Sequence, residues 1–199
     1  ITISKIIVFR NFQTNSYLRL ANAKDASELN IVTMEERSKI KLKLTTADTI
    51  FEIIGWFLIV AIWFLTFTNY SDLPATIPTH YNGAGQADGF GGKSTILSLP
   101  IISTFLFIGL TVLNKFPHAF NYPTNISEKN AYRHYTNATR LIRYLKLIIV
   151  FIFGLIAFKT IQTAEGKADG LGLWFLPLTM VLIFIPITYF TIKSFNEKQ

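Results

Sequence analysis

The segment from Asn69 to Lys93 holds the residues best suited to chemistry: Asp72, His80, Asn82 and Asp88, set among Pro74, Pro78, Gly83, Gly85, Gly89 and Gly91. A histidine, a carboxamide and two carboxylates can together hold a cation or a polar ligand. Their spacing follows no regular metal-ligand pattern, however, so no metal is expected. His80, Asn82 and Asp88 are therefore the candidate residues for binding a ligand or partner. A competing reading makes them structural, with Asn82 and Asp88 forming turns to nearby backbone and His80 bonding a carbonyl. The prolines force extended backbone on the residues before them, while Gly83, Gly85, Gly89 and Gly91 permit tight turns. An ordered loop is expected rather than a loose one.

Ala87 to Ser94 also fits a loose form of the phosphate-binding loop, ending in Gly92-Lys93-Ser94. That loop requires a buried strand before it and a soluble helix after it. The flanks here are a proline-rich segment and a long apolar block containing Pro100, so the motif does not hold. Lys93 is read instead as an interfacial anchor, with Ser94 or Thr95 capping the following helix. No Ser/His/Asp set, no His-Glu-x-x-His and no paired intramembrane aspartates occur, and the chain has no cysteine. No catalytic residue, no cofactor and no disulfide is expected.

The elements that must position these residues are set by composition. Half of the 199 residues are apolar and only 16 % are charged, against ~25 % in soluble domains. The apolar residues come in four blocks, each near the roughly 20 residues a helix needs to cross a bilayer: about Ile50–Thr68, charged only at Glu52; Ser94–Asn114; about Leu141–Ile161; and Leu171–Ile192. The fold expected is all-α, an integral membrane protein of four transmembrane helices, with an ordered extracytoplasmic loop between the first two. Its parts are a polar extension at 1–33, a basic amino end at 34–48, a helix-loop-helix unit at 49–114, a connection at 115–140, the third and fourth helices at 141–192 and a tail at 193–199. The extension opens with Ile1, and Met34 stands before a charged run, so 1–33 is expected to be disordered or not native. Pro100, Pro177 and Pro186 are expected to kink their spans.

Lysines and arginines number four in 34–48, one in 69–93, six in 115–146, two in 159–170 and two in 191–199. The positive-inside rule then places both termini and the 115–140 connection in the cytoplasm, and 69–93 and 162–170 outside. Lys93, Arg143, Lys146 and Trp174 are read as interfacial anchors. Arg133, His134, Arg140, Arg143 and Lys146 are read as one surface facing solvent and lipid headgroups. Apart from Glu52 the membrane interior is then almost free of ionisable groups, which argues against a charge-driven transporter. GxxxG spacing falls only outside the apolar blocks, as at Gly166 to Gly170.

Ile77-Pro78-Thr79-His80-Tyr81-Asn82, followed by Gly85-Gln86-Ala87-Asp88-Gly89-Phe90-Gly91-Gly92-Lys93 and an apolar span, resembles the signature of bacterial membrane proteins grouped as domain of unknown function 1648. That domain also opens the Sdp toxin-immunity proteins. The family pattern reads Ile-Pro-x-His-aromatic-Asn, then Gly-x-x-Asp-x-aromatic-Gly, a small residue and Lys. The chain lacks the further spans and the second conserved region of the immunity proteins, so the resemblance implies immunity or toxin-dependent signalling only loosely. The expected function is that of a non-enzymatic protein of the bacterial inner membrane whose outer loop recognises a ligand, protein or peptide at the membrane surface. The alternative is a small-solute transporter or channel subunit acting as an oligomer. Partners expected are the lipid bilayer and a second copy of the chain, without nucleic acid.

Overall fold

The structure is a computed structural model that describes residues 37 and 39–196. The expected extension at 1–33 lies outside the described residues. Four long helices carry the fold: α1 (Thr46–Tyr70), α2 (Ser98–Leu113), α3 (Glu128–Ala164) and α4 (Phe175–Asn196). Between α1 and α2 lie two antiparallel strands, β1 (Thr76–Tyr81) and β2 (Ala87–Gly92), and a 3-10 segment, Lys93–Leu97. The helices Thr46–Tyr70, Lys93–Leu113, Glu128–Ala164 and Phe175–Asn196 are each long and apolar enough to cross a membrane. The all-α expectation is corrected by the hairpin. Three of the six β2 residues, Gly89, Gly91 and Gly92, are glycine, which has little intrinsic strand preference and disguises the segment as a loop.

α1 starts at a capping box: the Thr45 hydroxyl accepts from the Asp48 N–H at 3.3 Å, and the Asp48 carboxylate accepts from the Thr45 N–H at 2.9 Å. α3 begins after Ser127, with the Ser127 N–H donating to Asn130 Oδ1 at 2.8 Å. It then runs unbroken for 37 residues and packs against α1, α2, α4 and β1. Pro100 and Pro177 fall in the first turns of α2 and α4, where N–H groups lack intrahelical partners and the missing donor costs little. Of these three prolines Pro186 alone lies beyond the first turn of its helix. The expected cap of the second span by Ser94 or Thr95 is not made. Those residues sit in the 3-10 segment, where the Thr95 hydroxyl donates to the Gly92 carbonyl.

Ile59, Ile62, Phe107, Val150 and Ala157 form the central core. Leu73, Ile77, Ile96 and Ile161 form a second cluster that ties β1 to the bundle. Gly55 allows α1 to lie against the Phe107 ring, because a Cβ there would overlap the ring edge. The outward faces carry Phe57, Val60, Phe64, Phe105, Phe184 and Ile185, all exposed. Apolar side chains so placed suit lipid rather than water.

Candidate functional site

At the hairpin end of the bundle, β1 and β2 pair from Thr76 opposite Gly92 to Tyr81 opposite Ala87, with irregular register on either side of His80. Asn82 closes the turn. Its Oδ1 accepts from the N–H groups of Ala84 at 2.9 Å and Gln86 at 3.0 Å. Asn82 is thus a turn former, as the competing reading has it, while His80 and Asp88 pair with each other across the hairpin, His80 Nδ1 to Asp88 Oδ1 at 2.5 Å. Their side chains are 72 % and 42 % exposed.

The hairpin is fastened to the bundle at two places. At its tip, the Gly85 carbonyl accepts from the Leu171 N–H at 2.7 Å, and Gln86 bridges to Gly170 in the α3–α4 connection. Gly85 has φ +75°, and a Cβ on it would lie 2.5 Å from the Gly172 carbonyl oxygen, so no other residue fits without displacement. On its flank, the Tyr81 hydroxyl and Thr160 Oγ1 bond at 2.9 Å. Burial pushes the Tyr81 hydroxyl above the ordinary tyrosine range, against the opposing effect of the bond to Thr160. Lys93 closes the exit from β2. Its ammonium donates to the Tyr70 carbonyl at 3.3 Å and the Leu73 carbonyl at 3.4 Å, and lies 5.1 Å from the Tyr70 ring. The expected headgroup anchor is therefore a clamp on the end of α1, where the helix dipole favours a cation.

Beneath β1 lies a cavity of ≈ 340 Å³, floored by Ile77, Ile96, Leu99, Ile156 and Leu171 and edged by His80, Tyr81 and Thr160. That size lies at the small end of ligand pockets, ~300–1,000 Å³. Of the other hydroxyls around it, Thr95 bonds to the Gly92 carbonyl and Ser98 to the Thr95 carbonyl, while Thr79 lies exposed beside His80. Pro78 is buried in its wall and Pro74 is exposed before β1. Gly89 and Gly91 let Thr79 and His80 cross the hairpin closely, whereas a Cβ on Gly83 would meet open space. Trp174 is half-exposed beside the Phe175 ring. The phosphate-loop motif fails for a further reason, since Ala87–Gly92 is itself extended strand and cannot wrap a phosphate.

The opposite end of the bundle departs most from the sequence reading. Arg143 and Lys146 are not headgroup anchors, because their side chains are 10 % and 1 % exposed. Lys146 Nζ donates to Glu52 at 2.5 Å and to Thr111 Oγ1 at 2.8 Å, and stands 4.5 Å from the Phe107 ring. Arg143 reaches Glu52 at 3.2 Å and Asp48 at 3.5 Å; Arg140 reaches Asp48 at 3.4 Å. His134, expected on the same exposed surface, is buried with Nδ1 at 3.1 Å from Ser194 Oγ on α4. The interior of the bundle at this end therefore holds a cluster of ionisable groups. A sequence signal existed: Asp48 and Glu52 are four apart and Arg143 and Lys146 three apart, so each pair shares a helix face.

Among the described residues no group of three or more His, Cys, Asp or Glu could hold a metal ion. Residues 57–104, from within α1 through the hairpin into α2, match the family described as Domain of unknown function (DUF1648). A curated protein of Archaeoglobus fulgidus, described as "Uncharacterized protein", is 27 % identical over 136 residues, covering 64 % of this chain and 74 % of its own. No solved structure matches. By its four apolar helices and its matched segment, the chain is a multi-pass membrane protein similar over that segment to a family of unknown function.

Proposed function

We propose that this chain is a non-enzymatic protein of the bacterial cytoplasmic membrane, with both termini in the cytoplasm, whose hairpin end faces outward and binds a ligand in the cavity beneath β1. The observation that carries the proposal is the double fastening of the hairpin, at Gly85–Leu171 and Tyr81–Thr160, over that cavity. A recognition loop gains affinity from such preorganisation, because less order is lost on binding. The orientation rests on the distribution of lysine and arginine. The bacterial assignment and an immunity or sensing role rest on the resemblance alone.

Two features support binding rather than catalysis or conduction. The His80–Asp88 pair could orient a general base, but among the described residues no hydroxyl is hydrogen-bonded to the imidazole, so no nucleophile is paired with it. Along α3, Val150 and Ala157 of the apolar core lie between Lys146 and Thr160, which favours a closed bundle over a polar path.

Photo-crosslinking in native membranes tests this reading. A photoreactive amino acid at Thr79, exposed at the cavity mouth, should capture a non-lipid species absent from the same probe at Phe105, which is exposed on the bundle surface. Lipid adducts alone at Thr79 would remove the support for ligand binding there.

A further inference from the structure

The charged end of the bundle is out of balance. Among the described residues Asp48 and Glu52 are the two carboxylates of this cluster, and they serve three cations, Arg140, Arg143 and Lys146. Asp48 is also committed to the Thr45 N–H and hydroxyl. An unmatched charge in a buried cluster is costly, so a further anion is favoured. Arg143 and Lys146 are enclosed, but Arg140 is 33 % exposed and its ion pair uses only Nε. A guanidinium has five donors in a planar fork, and the remaining ones suit a phosphate group.

Position fits the same chemistry. Asp48 lies in the first turn of α1, ahead of the apolar stretch that begins at Ile50, so Arg140 sits at the level where a bilayer presents its headgroups. Basic pockets between transmembrane helices bind anionic headgroups in this way. We infer that Arg140, at the junction of α1 and α3, binds a phosphate group, presented by an anionic phospholipid or free in solution. This stands apart from the hairpin-end reading.

The test uses the full chain in mild detergent, titrated with phosphatidylglycerol or phosphatidylcholine and followed by native mass spectrometry. Phosphatidylglycerol should be retained roughly tenfold less tightly by Arg140→Gln than by the wild type, the loss of one charge-assisted bond. Arg133→Gln, which removes an exposed arginine of the same helix, should change nothing, and Arg140→Lys should keep the preference for phosphatidylglycerol. Asp48→Asn removes a carboxylate and should tighten retention. Displacement of the lipid by millimolar inorganic phosphate would support a site open to either source, and failure to displace it a site specific for lipid. Equal retention by Arg140→Gln and the wild type, or weaker retention by Asp48→Asn, would overturn the inference.

Discussion

Replacing Glu52 by glutamine tests the buried ion cluster most severely. The change is nearly isosteric, so any cost is electrostatic rather than steric. Among the described residues it leaves one carboxylate, Asp48, against Arg140, Arg143 and Lys146, and it takes the carboxylate partner from an ammonium that is 1 % exposed. The remaining neighbours of Lys146, the Thr111 hydroxyl and the Phe107 ring, carry no formal charge. Removing one member of a buried pair costs about 3–5 kcal/mol. At about 2–4 °C per kcal/mol for a chain of this size, the melting temperature should fall by roughly 6–20 °C. Lys146→Met should cost less, because two carboxylates then face two arginines. Combining Glu52→Gln with Lys146→Met should recover most of the loss, since the original surplus of one positive charge returns. The assay is thermal unfolding of purified protein in mild detergent, read as a double-mutant cycle. A Glu52→Gln protein within about 0.5 kcal/mol of wild type, or additive effects in the double variant, would refute the reasoning.

Three further outcomes are expected. Gly85→Ala should loosen the hairpin tip and expose 82–86 to limited proteolysis, because its Cβ meets the Gly172 backbone at positive φ, whereas Gly83→Ala should leave cleavage unchanged. Tyr81 should titrate, by absorbance near 295 nm, above the ordinary tyrosine value of about 10. Because its folded pKa is raised, its stabilising contribution is complete below that ordinary value and is lost as pH rises through the raised one; Tyr81→Phe should remove this alkaline dependence. The chain has no cysteine, so Ser71→Cys should react with a membrane-impermeant maleimide in intact cells and Ser127→Cys only after permeabilisation. The reverse pattern would invert the orientation.

The spans were legible because uninterrupted apolar blocks report local physics, and a helix closes its hydrogen bonds within itself. What escaped was non-local. Arg143 and Lys146 resemble end-of-span anchors when α3 is read alone, and their carboxylate partner Glu52 lies 91 and 94 positions away. The hairpin escaped because glycine-rich β2 has no β-branched residue and a single aromatic one, Phe90, to announce a strand, and what secures its tip is backbone at Gly170 to Gly172. Within the candidate site, the sequence named His80 and Asp88 but not their pairing. It also named Asn82, whose carboxamide is spent on the turn. Tyr81 and Thr160, which join β1 to α3, gave no signal because a tyrosine and a threonine 79 positions apart form no motif.

The central claim is that the cavity beneath β1 holds a ligand, and native mass spectrometry of the full chain, purified from its own membranes, tests it most directly. Ile156 lines the cavity floor on α3, so Ile156→Phe fills the space and leaves His80, Asp88 and the hairpin fastenings in place. A small molecule bound to the wild type and absent from Ile156→Phe, at equal melting temperature, is the predicted result. The same bound mass on both proteins, or none on the wild type, would contradict the claim.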